Sequence, residues 1–306
     1  MNSITVKASA TSANLGAGFD VLGLALKSPS DTIEVEKADR LSISVLGRGS
    51  DEIPVDPVKN TAGLVALAMD KNVKITIRSG IRPGSGLGSS AAPAAGTAVA
   101  INELFSLGYS KEELVWFAAR GEIAAAGIMH ADNVAPCIMG DLTVVCDRHV
   151  EHLEMPPMSI VAILPDMVVN TKAARSILPQ QVSVREMVQN VGKASMLMAG
   201  VMKKDPWIIG RSLADTFNER YRSPLISGYD AVRKAALEYG AYGVAISGSG
   251  PTMIALCPEE KSSDIATAMR MGFNGAGANA EIFITGVGKG VRITGRESPA
   301  TGDGQR

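Results

Sequence analysis

The run from Pro83 to Ala92 brings together the residue types that bind phosphate in proteins. Its sequence, PGSGLGSSAA, has glycine at three alternate positions, then two serines and the first alanines of a predicted helix. Glycine lets the backbone turn tightly and approach a ligand closely. The N–H groups and the dipole at a helix N-terminus favour an anion. The run therefore predicts a phosphate-binding loop, whose residues are Pro83, Gly84, Ser85, Gly86, Leu87, Gly88, Ser89, Ser90, Ala91 and Ala92.

This run differs from the two common nucleotide-binding patterns. Ser89 stands where the P-loop pattern G-x-x-x-x-G-K-[ST] needs its second glycine, and no lysine follows it. The spacing also departs from G-x-G-x-x-G, so we do not expect a Rossmann dinucleotide site. Taken alone, the run is also compatible with a glycine-rich turn that ends in a serine cap.

Two other clusters of small polar residues and glycine lie beside predicted strands. The first, TSANLGAGFD at 11–20, follows a strand directly, and binding residues often occupy such positions. The second, SGSGPT at 247–252, has the composition of a corner between two strands. Taken alone, the first could be a solvated turn and the second a structural corner, so these alternatives stay open.

The elements that must position these clusters are short strands and helices in an irregular order. The predicted strands are Ile4–Ala8, Thr32–Val35, Leu41–Val45, Val73–Ile77, Ser159–Leu164, Val244–Ser247, Thr252–Leu256 and Glu281–Thr285. The predicted helices are Asn60–Asp70, Gly88 to about Leu107, Val184 to about Lys204, a short one from Pro206, Ser227–Tyr239 and Ser262–Gly272. Another helix is predicted to start at Lys111, because Ser110 and Glu113 have the spacing of a capping box. The residues Asn14–Gly23 are predicted to form a glycine-rich loop.

This order of elements predicts an α+β protein with two lobes rather than a regular βαβ array. The pair Pro156-Pro157 is the best candidate for a boundary between them. We therefore predict an N-terminal domain at 1–155 and a C-terminal domain at 156–294. The polar, glycine-containing residues 295–306 are predicted to form a disordered tail.

Composition and charge exclude several classes of protein. Of the 306 residues, 30 are Lys or Arg and 31 are Asp or Glu, a balance that disfavours a nucleic-acid-binding surface. The uncharged stretch Pro83–Asn102 is rich in Gly, Ser and Ala, so we do not expect it to span a membrane. The three cysteines are far apart, and the first residues lack the apolar segment of a signal peptide. These features favour a cytoplasmic protein.

In order and spacing, the three clusters resemble the motifs of the GHMP kinases (galactokinase, homoserine, mevalonate and phosphomevalonate kinases). TSANLGAGFDVLGLAL at 11–26 and HADNVAP at 130–136 are most similar to the homoserine kinases among them, and the resemblance covers about residues 2–290. Ser9 and Ala17 stand at two positions where this family usually has proline, and Arg82 stands where its glycine loop often begins with proline. None of these differences removes a polar group.

The resemblance implies a fold and an assembly. It implies an N-terminal lobe similar to domain 2 of ribosomal protein S5, with a left-handed βαβ unit, and a ferredoxin-like C-terminal lobe. The first lobe would hold the nucleotide and the metal, and the second would form the substrate side. The family further suggests a homodimer.

The resemblance also implies that ATP and Mg²⁺ are the cofactors. Ser90 and Glu122 match the metal ligands, and a kinase of this type works mainly by positioning and charge neutralisation. From the residues alone, Glu122 could equally form a salt bridge at the edge of a buried helix face. Asn60 matches the stretch that contacts adenine, but an ordinary helix N-cap is an equal alternative.

For the acceptor, the resemblance implies L-homoserine, phosphorylated on its γ-hydroxyl in threonine biosynthesis. Arg175 and Arg222 match the arginines that bind its carboxylate, which the guanidinium fork suits. Asn14 and Asp20 fall at the amino end, where Asp20 would pair with the ammonium, and His130 would line the same pocket. Without the resemblance, both arginines would be interpreted as surface residues.

The catalytic base stays open at this point. Asp132 and Asn133 are the catalytic candidates, and the homoserine kinases are thought to lack an effective base, so we expect transfer without one. One alternative is another GHMP small-molecule kinase, such as a shikimate or pantoate kinase, whose acceptor carries no ammonium. Another alternative is a non-catalytic nucleotide-binding regulator on the same scaffold.

Overall fold

A computed structural model describes residues 2–213 and 217–297 of the chain. The strands are β1 (Ser3–Asn14), β2 (Gly18–Lys37), β3 (Ser42–Gly47), β4 (Val73–Ser79), β5 (Leu142–Cys146), β6 (His149–Leu153), β7 (Ser159–Pro165), β8 (Gly243–Ile246), β9 (Met253–Cys257), β10 (Ala280–Gly286) and β11 (Arg292–Glu297). The helices are α1 (Thr61–Ala68), α2 (Ala91–Phe105), α3 (Lys111–Ala126), α4 (Val134–Met139), α5 (Thr171–Ser176), α6 (Val184–Met202), α7 (Pro206–Ser212), α8 (Phe217–Arg222), α9 (Tyr229–Glu238) and α10 (Ser262–Gly275).

A seven-stranded sheet forms the first lobe. Its main path is β11-β1-β2-β4-β3, and β5 and β6 continue from β2. The alternating sequence of β4, VKITIRS, buries its apolar side chains and exposes Lys74 and Arg78. Helix α2 packs on this sheet through small residues, and its Gly96 lies against the side chains of Ile33 and Val6. The close approach places the N-terminus of α2 at the end of the β1–β2 hairpin, where the site forms.

A four-stranded antiparallel sheet, ordered β10-β7-β9-β8, forms the second lobe. Strand β7 is buried along its whole length, which agrees with its nearly continuous apolar sequence SIVAILP. Helices α9 and α10 pack against each other, and Phe273 at the end of α10 is among the largest fully buried side chains. This lobe confirms the predicted α+β class with two lobes.

The chain returns to the first lobe at its C-terminal end. Val287 bridges to Leu26, and β11 pairs antiparallel with β1 at the edge of the first sheet. Strand β11 therefore belongs to the first sheet, although we had placed residues up to 294 in the second domain. The predicted disordered tail is wrong for residues 295–297, which complete β11, and residues 298–306 lie outside the described residues.

The glycine-rich segment Asn14–Gly23 is not a loop, as we had predicted. β1 runs to Asn14 and β2 begins at Gly18, so only three residues form the turn of a long hairpin. Its backbone shows why the sequence misled us, because Asn14, Leu15 and Asp20 all adopt positive φ angles (74°, 44° and 58°). Among the residues that the structure describes, no helix combines the length and apolar character needed to cross a bilayer.

Candidate active site

A cavity of about 560 Å³ opens where the first lobe meets α5, α8 and the β8–β9 corner. Most of the residues singled out from the sequence line it. They are Asn14, Asp20, Asn60, Pro83, Gly84, Gly86, Gly88, Ser89, Ser90, Glu122, His130, Asp132, Asn133, Arg175 and Arg222.

The glycine loop has the backbone that its sequence predicted. Gly84, Gly86 and Gly88 have φ angles of 67°, 78° and 71°, in a region that residues other than glycine rarely adopt. A Cβ atom at Gly86 would lie 2.5 Å from the carbonyl oxygen of Ser247 and 2.7 Å from that of Gly250. The backbone of the loop therefore packs closely against the 247–252 corner, and this compact backbone suits the predicted phosphate-binding loop.

The cluster at 247–252 holds this loop in place. The hydroxyl of Ser247 donates to the carbonyl of Gly86 at 2.7 Å, and the hydroxyl of Thr252 donates to that of Ser85 at 2.7 Å. Both donors are fully buried. The corner is thus structural, which is one of the two alternatives that the sequence left open, and its structural role is to fix the loop.

Four residues of the predicted loop point away from the cavity. The side chains of Ser85, Leu87, Ala91 and Ala92 are buried in the protein. The Ser85 hydroxyl accepts from the backbone N–H of Leu87 at 3.3 Å, which tightens the turn. We had predicted that all four bind the cofactor, and their buried side chains leave only the backbone for that purpose.

Asp31 supports the start of the same loop, a role that sequence reasoning missed. Its buried carboxylate accepts the backbone N–H groups of Gly80 and Ile81 at 2.8 and 3.0 Å. Burial raises the pKa of Asp31 to about 6, and the two hydrogen bonds oppose that shift. The sequence carried only a weak signal for this role, because Asp31 lies about fifty residues away from its partners.

Glu122 and Ser90 lie together at the N-terminus of α2. The Ser90 hydroxyl donates to Oε2 of Glu122 at 2.9 Å. Oε1 of Glu122 is buried, and no hydrogen-bond donor among the described residues reaches it. Burial raises the pKa of Glu122 to about 7, which the Ser90 hydrogen bond opposes and the charge of Asp132 reinforces. A buried carboxylate oxygen without a donor, beside a phosphate cradle, fits a ligand for Mg²⁺.

Asp132 and Asn133 lie directly before α4 and also line the cavity. The hydroxyl of Thr11 donates to Oδ1 of Asn133 at 2.8 Å and so fixes the orientation of its amide. Burial raises the pKa of Asp132 to about 7, the charge of Asp20 adds to the shift, and nearby positive charge opposes it. Thr11 belongs to the first sequence cluster, but we had not singled it out.

Asp20 and Arg175 form an ion pair across the cavity. Nη2 of Arg175 lies 2.8 and 2.9 Å from the two carboxylate oxygens of Asp20. We had predicted that Asp20 binds the ammonium and Arg175 the carboxylate of an amino acid. The structure brings these two charges together with each other, so an amino-acid substrate would have to exchange partners with both.

Arg222 is held more firmly than Arg175. It is buried, and it donates to the carbonyls of Ala174 and Gly248 at 3.1 and 3.0 Å. Asn14 donates its Nδ2 to the same Gly248 carbonyl at 2.8 Å. Burial lowers the pKa of Arg222, and the nearby acidic residues oppose that shift. Arg222 therefore serves as a fixed positive wall for the cavity.

Phe19 lies beneath both arginines. Its ring centroid is 5.4 Å from the guanidinium carbon of Arg175 and 5.0 Å from that of Arg222. An aromatic face near two cations stabilises them and excludes water from one side. We did not single out this residue, although its position directly before Asp20 in the first cluster was an available signal.

His130 lines the same cavity near Asp20 and Arg175. Its Nε2 is buried, and no partner reaches it within the described ranges. Burial lowers the pKa of His130, and the charge of Asp20 opposes this shift. The ring is therefore neutral near pH 7.

Asn60 is the N-cap of α1. Its Oδ1 accepts from the backbone N–H groups of Ala62 and Gly63, and its Nδ2 donates to the carbonyl of Pro54 at 2.6 Å. The alternative that the sequence left open, an ordinary cap, is therefore present. The side chain lines the cavity, but its hydrogen-bonding groups are already used within the protein.

Comparisons of the chain with known protein families and relatives agree with this geometry. The GHMP kinases N terminal domain matches residues 56–141, and the GHMP kinases C terminal domain matches residues 197–274. The fold and the site thus define a GHMP kinase, a class of small-molecule phosphotransferases. The homoserine kinase of Methanocella arvoryzae is 75% identical over 97% of this chain and 99% of its own length, and that of Haloarcula marismortui is 49% identical over 95% and 99%. The chain belongs to the homoserine kinase family.

A solved structure supports the same assignment. The crystal structure of homoserine kinase from Cytophaga hutchinsonii superposes with a TM-score of 0.89 at 36% identity, covering 96% of this chain and 98% of that one. The resemblance drawn from the three sequence clusters, and the two-lobed fold that it implied, are both confirmed.

Proposed function

We propose that the protein transfers the γ-phosphoryl group of ATP to the γ-hydroxyl of L-homoserine, which yields O-phospho-L-homoserine for threonine synthesis. The observation that carries the proposal is the composition of a single cavity. A backbone phosphate cradle and a buried carboxylate with an unsatisfied oxygen form one end, and opposite charges suited to an amino acid form the other. Kinase chemistry needs both ends in one cavity, because the two substrates must meet in line.

The glycine loop and the start of α2 would bind the phosphates of the nucleotide. Gly84, Gly86 and Gly88 line the cavity with backbone that carries no side chain, and α2 adds the positive end of its dipole. The hydrogen bonds from Ser247 and Thr252 keep this backbone in place before the nucleotide arrives. Such preorganisation lowers the ordering cost of binding.

Glu122 and Ser90 are the residues that would hold Mg²⁺. The ion takes one or two protein oxygens together with phosphate and water, and it neutralises charge on the transferring phosphoryl group. Oε1 of Glu122 is a buried acceptor without a donor, and the Ser90 hydroxyl lies within hydrogen-bond reach of the same carboxylate. The positive charge of a cation there would also oppose the rise in the pKa of Glu122 that burial causes.

Asp20, Arg175 and Arg222 would bind the acceptor. Homoserine is a zwitterion, so its ammonium can replace the guanidinium beside Asp20 while its carboxylate meets the two arginines. Each charge of the ion pair thereby gains a new partner of opposite sign, and neither Asp20 nor Arg175 is left unpaired. Removal of the Asp20 carboxylate tests this exchange of partners. Asp20→Ala is expected to raise KM for homoserine at least tenfold, with little change in KM for ATP.

The proton of the acceptor hydroxyl needs a destination. As the bond from the γ-phosphorus to ADP breaks, a bond forms to the hydroxyl oxygen, and we infer that the proton passes late to an oxygen of the transferred phosphoryl group. Burial raises the pKa of Asp132 to about 7, a range that also suits a general base, so Asp132→Asn decides between the two routes. The homodimer and the cytoplasmic location suggested by the sequence stay predictions.

Release of ADP with MgATP and one acceptor at a time tests the proposal. L-homoserine, shikimate, pantoate and mevalonate would be compared, with Glu122→Gln as an inactive control. Turnover with homoserine alone is the expected result. Turnover with another acceptor would overturn the assignment of the acceptor residues, and binding of MgATP without any turnover would favour a regulator.

A further inference from the structure

A second cavity lies on the C-terminal lobe, and none of the described residues lines both cavities. Its walls come from α6, α7, α8, α9 and β8, and we call it the α6–α7 groove. Its volume is about 1040 Å³. Small-molecule sites typically occupy roughly 300–1,000 Å³, so the groove has room for an organic ligand.

The groove is cationic. Lys193, Arg211, Arg220 and Arg233 line it, and no acidic side chain among the described residues does so. Arg220 pairs with Glu186 at 3.2 Å outside the lining, so part of its charge is already balanced. Lys193 donates to the backbone carbonyl of Arg211 at 3.3 Å rather than to a carboxylate. Arg233 is likewise engaged within the protein, so Lys193 and Arg211 are the cations most available to a ligand.

The groove also has an apolar wall. Trp207 is 56% exposed, and the guanidinium of Arg211 lies 4.7 Å from its ring centroid. Met196 and Val188 of α6 face the same space and are also exposed. Large apolar side chains beside cations favour a ligand that has an anionic group on an apolar body.

Two contacts join the walls of this groove to the β1–β2 turn. Asn190, within the groove-lining part of α6, donates its Nδ2 to the carbonyl of Ala17 at 2.9 Å. Leu213, at the end of α7, lies so close to Gly16 that a side chain at Gly16 would collide with its backbone. This turn connects the strand that carries Asp20 to the rest of the active site.

A third contact runs through α8. Arg220 lies on this short helix two residues before Arg222. Arg222 donates to the carbonyl of Gly248 in the corner that holds the glycine loop. Two walls of the groove thus contact the β1–β2 turn, and the third carries Arg222 of the active-site cavity.

We propose that the α6–α7 groove binds an organic anion with an apolar part, and that its occupancy restrains the β1–β2 turn. A ligand that bridges Lys193 on α6 and Arg211 on α7 holds together the two helices that contact Ala17 and Gly16. The proposed binding of the anion and the proposed restraint of the β1–β2 turn do not depend on kinase activity. Only an effect on turnover would rest on the proposed function.

A fluorescent dye tests the binding directly. The probe is 8-anilinonaphthalene-1-sulfonate, which combines a sulfonate with aromatic rings, and the assay measures energy transfer from tryptophan to the bound dye. The chain has two tryptophans, and Trp116 lies on α3 in the first lobe. We expect transfer that Trp207→Phe largely removes. Transfer that persists at full strength in Trp207→Phe would place the dye elsewhere and overturn the proposal.

Charge-removing variants sharpen the test. The double variant Lys193→Gln/Arg211→Gln should weaken dye binding by at least about tenfold, which corresponds to the loss of one good charged contact. Lys203→Gln, an exposed change just after the same helix α6, is the matched control and should bind like the wild type. Equal affinity of the double variant and the control would contradict the assigned ligand contacts.

Amide hydrogen exchange measures the restraint without any turnover. With dye bound, exchange at residues 15–18 should slow at least about threefold in the wild type and stay unchanged in the double variant. Unchanged exchange in the wild type at saturating dye would overturn the link to the turn. A failure of the proposed kinase activity would leave both readouts intact, so the two failures are distinguishable.

Discussion

Glu122 is a charged group that the folded protein stabilises poorly when Mg²⁺ is absent. Burial raises its pKa to about 7 from an ordinary value near 4.5. Below pH 4.5 the carboxyl is protonated in both the folded and the unfolded chain, so it favours neither. Between pH 4.5 and about 7 the carboxyl ionises in the unfolded chain but stays largely protonated in the folded one, so the folded state loses stability across this range and stays at the lower level above it.

Glu122→Gln should therefore stabilise the protein while it destroys its activity. Without Mg²⁺, we expect the free energy of unfolding at pH 8.5 to increase by about 3 kcal/mol, with little change at pH 4.5. Turnover should fall by about a hundredfold or more, because a metal ligand is lost. Urea unfolding at the two pH values and ADP release measure the two effects.

Glu112→Gln is the matched control for that experiment. Glu112 lies in the first turn of the same helix α3 and outside the cavity. Its variant should unfold almost like the wild type at both pH values and keep its turnover. A Glu122→Gln variant that is less stable at pH 8.5 would mean that the carboxylate is satisfied in a way the structure does not show.

Asp132 tests whether the transfer needs a base. Because the hydroxyl proton is proposed to leave late to a phosphoryl oxygen, Asp132→Asn should keep kcat within about tenfold of the wild type. The measurement is kcat at saturating MgATP and homoserine, with circular dichroism to verify folding. A drop of several orders of magnitude in a folded variant would identify Asp132 as the base.

At the scale of elements, the sequence predicted those parts whose signals are local. The capping box of Ser110 and Glu113 starts α3 as expected, and a second one, with Ser183 and Glu186, starts α6. The boundaries of α2 and β7 also agree with the predictions within a few residues. Caps, glycines and short apolar periods act within one or two turns, so they can be found without knowledge of the partners.

The parts that depend on distant partners could not be predicted in this way. The segment 14–23 has the composition of a loop, but pairing with the rest of the sheet draws it into a hairpin. The ion pair of Asp20 and Arg175 joins residues 155 positions apart, and the Phe19 ring beneath it follows from the same packing. The family motifs predicted residues most of which line one cavity, whereas their partners became evident only in three dimensions.

The glycine loop permits a test of its geometry. Gly86→Ala would place a methyl group against two backbone carbonyls, so we expect a loss of about 2–4 kcal/mol in unfolding free energy and weaker MgATP binding. Gly108→Ala is the matched control, because Gly108 has a similar φ of 76° but no atom of the described residues lies within 4 Å of its Cβ position.

The control isolates the effect of close contact from that of backbone conformation. Gly108→Ala should cost about 1 kcal/mol from the left-handed backbone alone and leave MgATP affinity unchanged. Chemical unfolding and calorimetric titration with MgATP would measure both variants. Equal losses in the two variants would show that the loop does not depend on its contact with the 247–252 corner.

At the scale of the whole molecule, Asp141 fastens the returning chain to the first lobe. Its buried carboxylate lies 3.1 Å from Nζ of Lys289, 3.4 Å from Nε2 of His152 and 3.3 Å from the backbone N–H of Met155. Lys289 itself is 68% exposed, so solvent screens its half of the pair. Most of the stabilisation therefore resides in satisfying the buried carboxylate.

The two ends of this contact should respond unequally. Asp141→Asn should lower the free energy of unfolding by about 2 kcal/mol, and Lys289→Gln by less than about 1 kcal/mol. Neither residue lines the candidate active site, so kcat should stay unchanged. Urea unfolding would measure both variants, and a larger loss in Lys289→Gln would refute this ordering.

The pairing of β1 with β11 has a consequence for how the protein is made. Ser3 pairs with Glu297, so β1 acquires this neighbouring strand only after the roughly 290 residues between them have been translated. At roughly 5–20 residues per second, that interval is tens of seconds. Throughout it, one edge of the nascent sheet offers unpaired N–H and C=O groups to neighbouring chains. The growing polypeptide is thus vulnerable to aggregation until β11 has been synthesised.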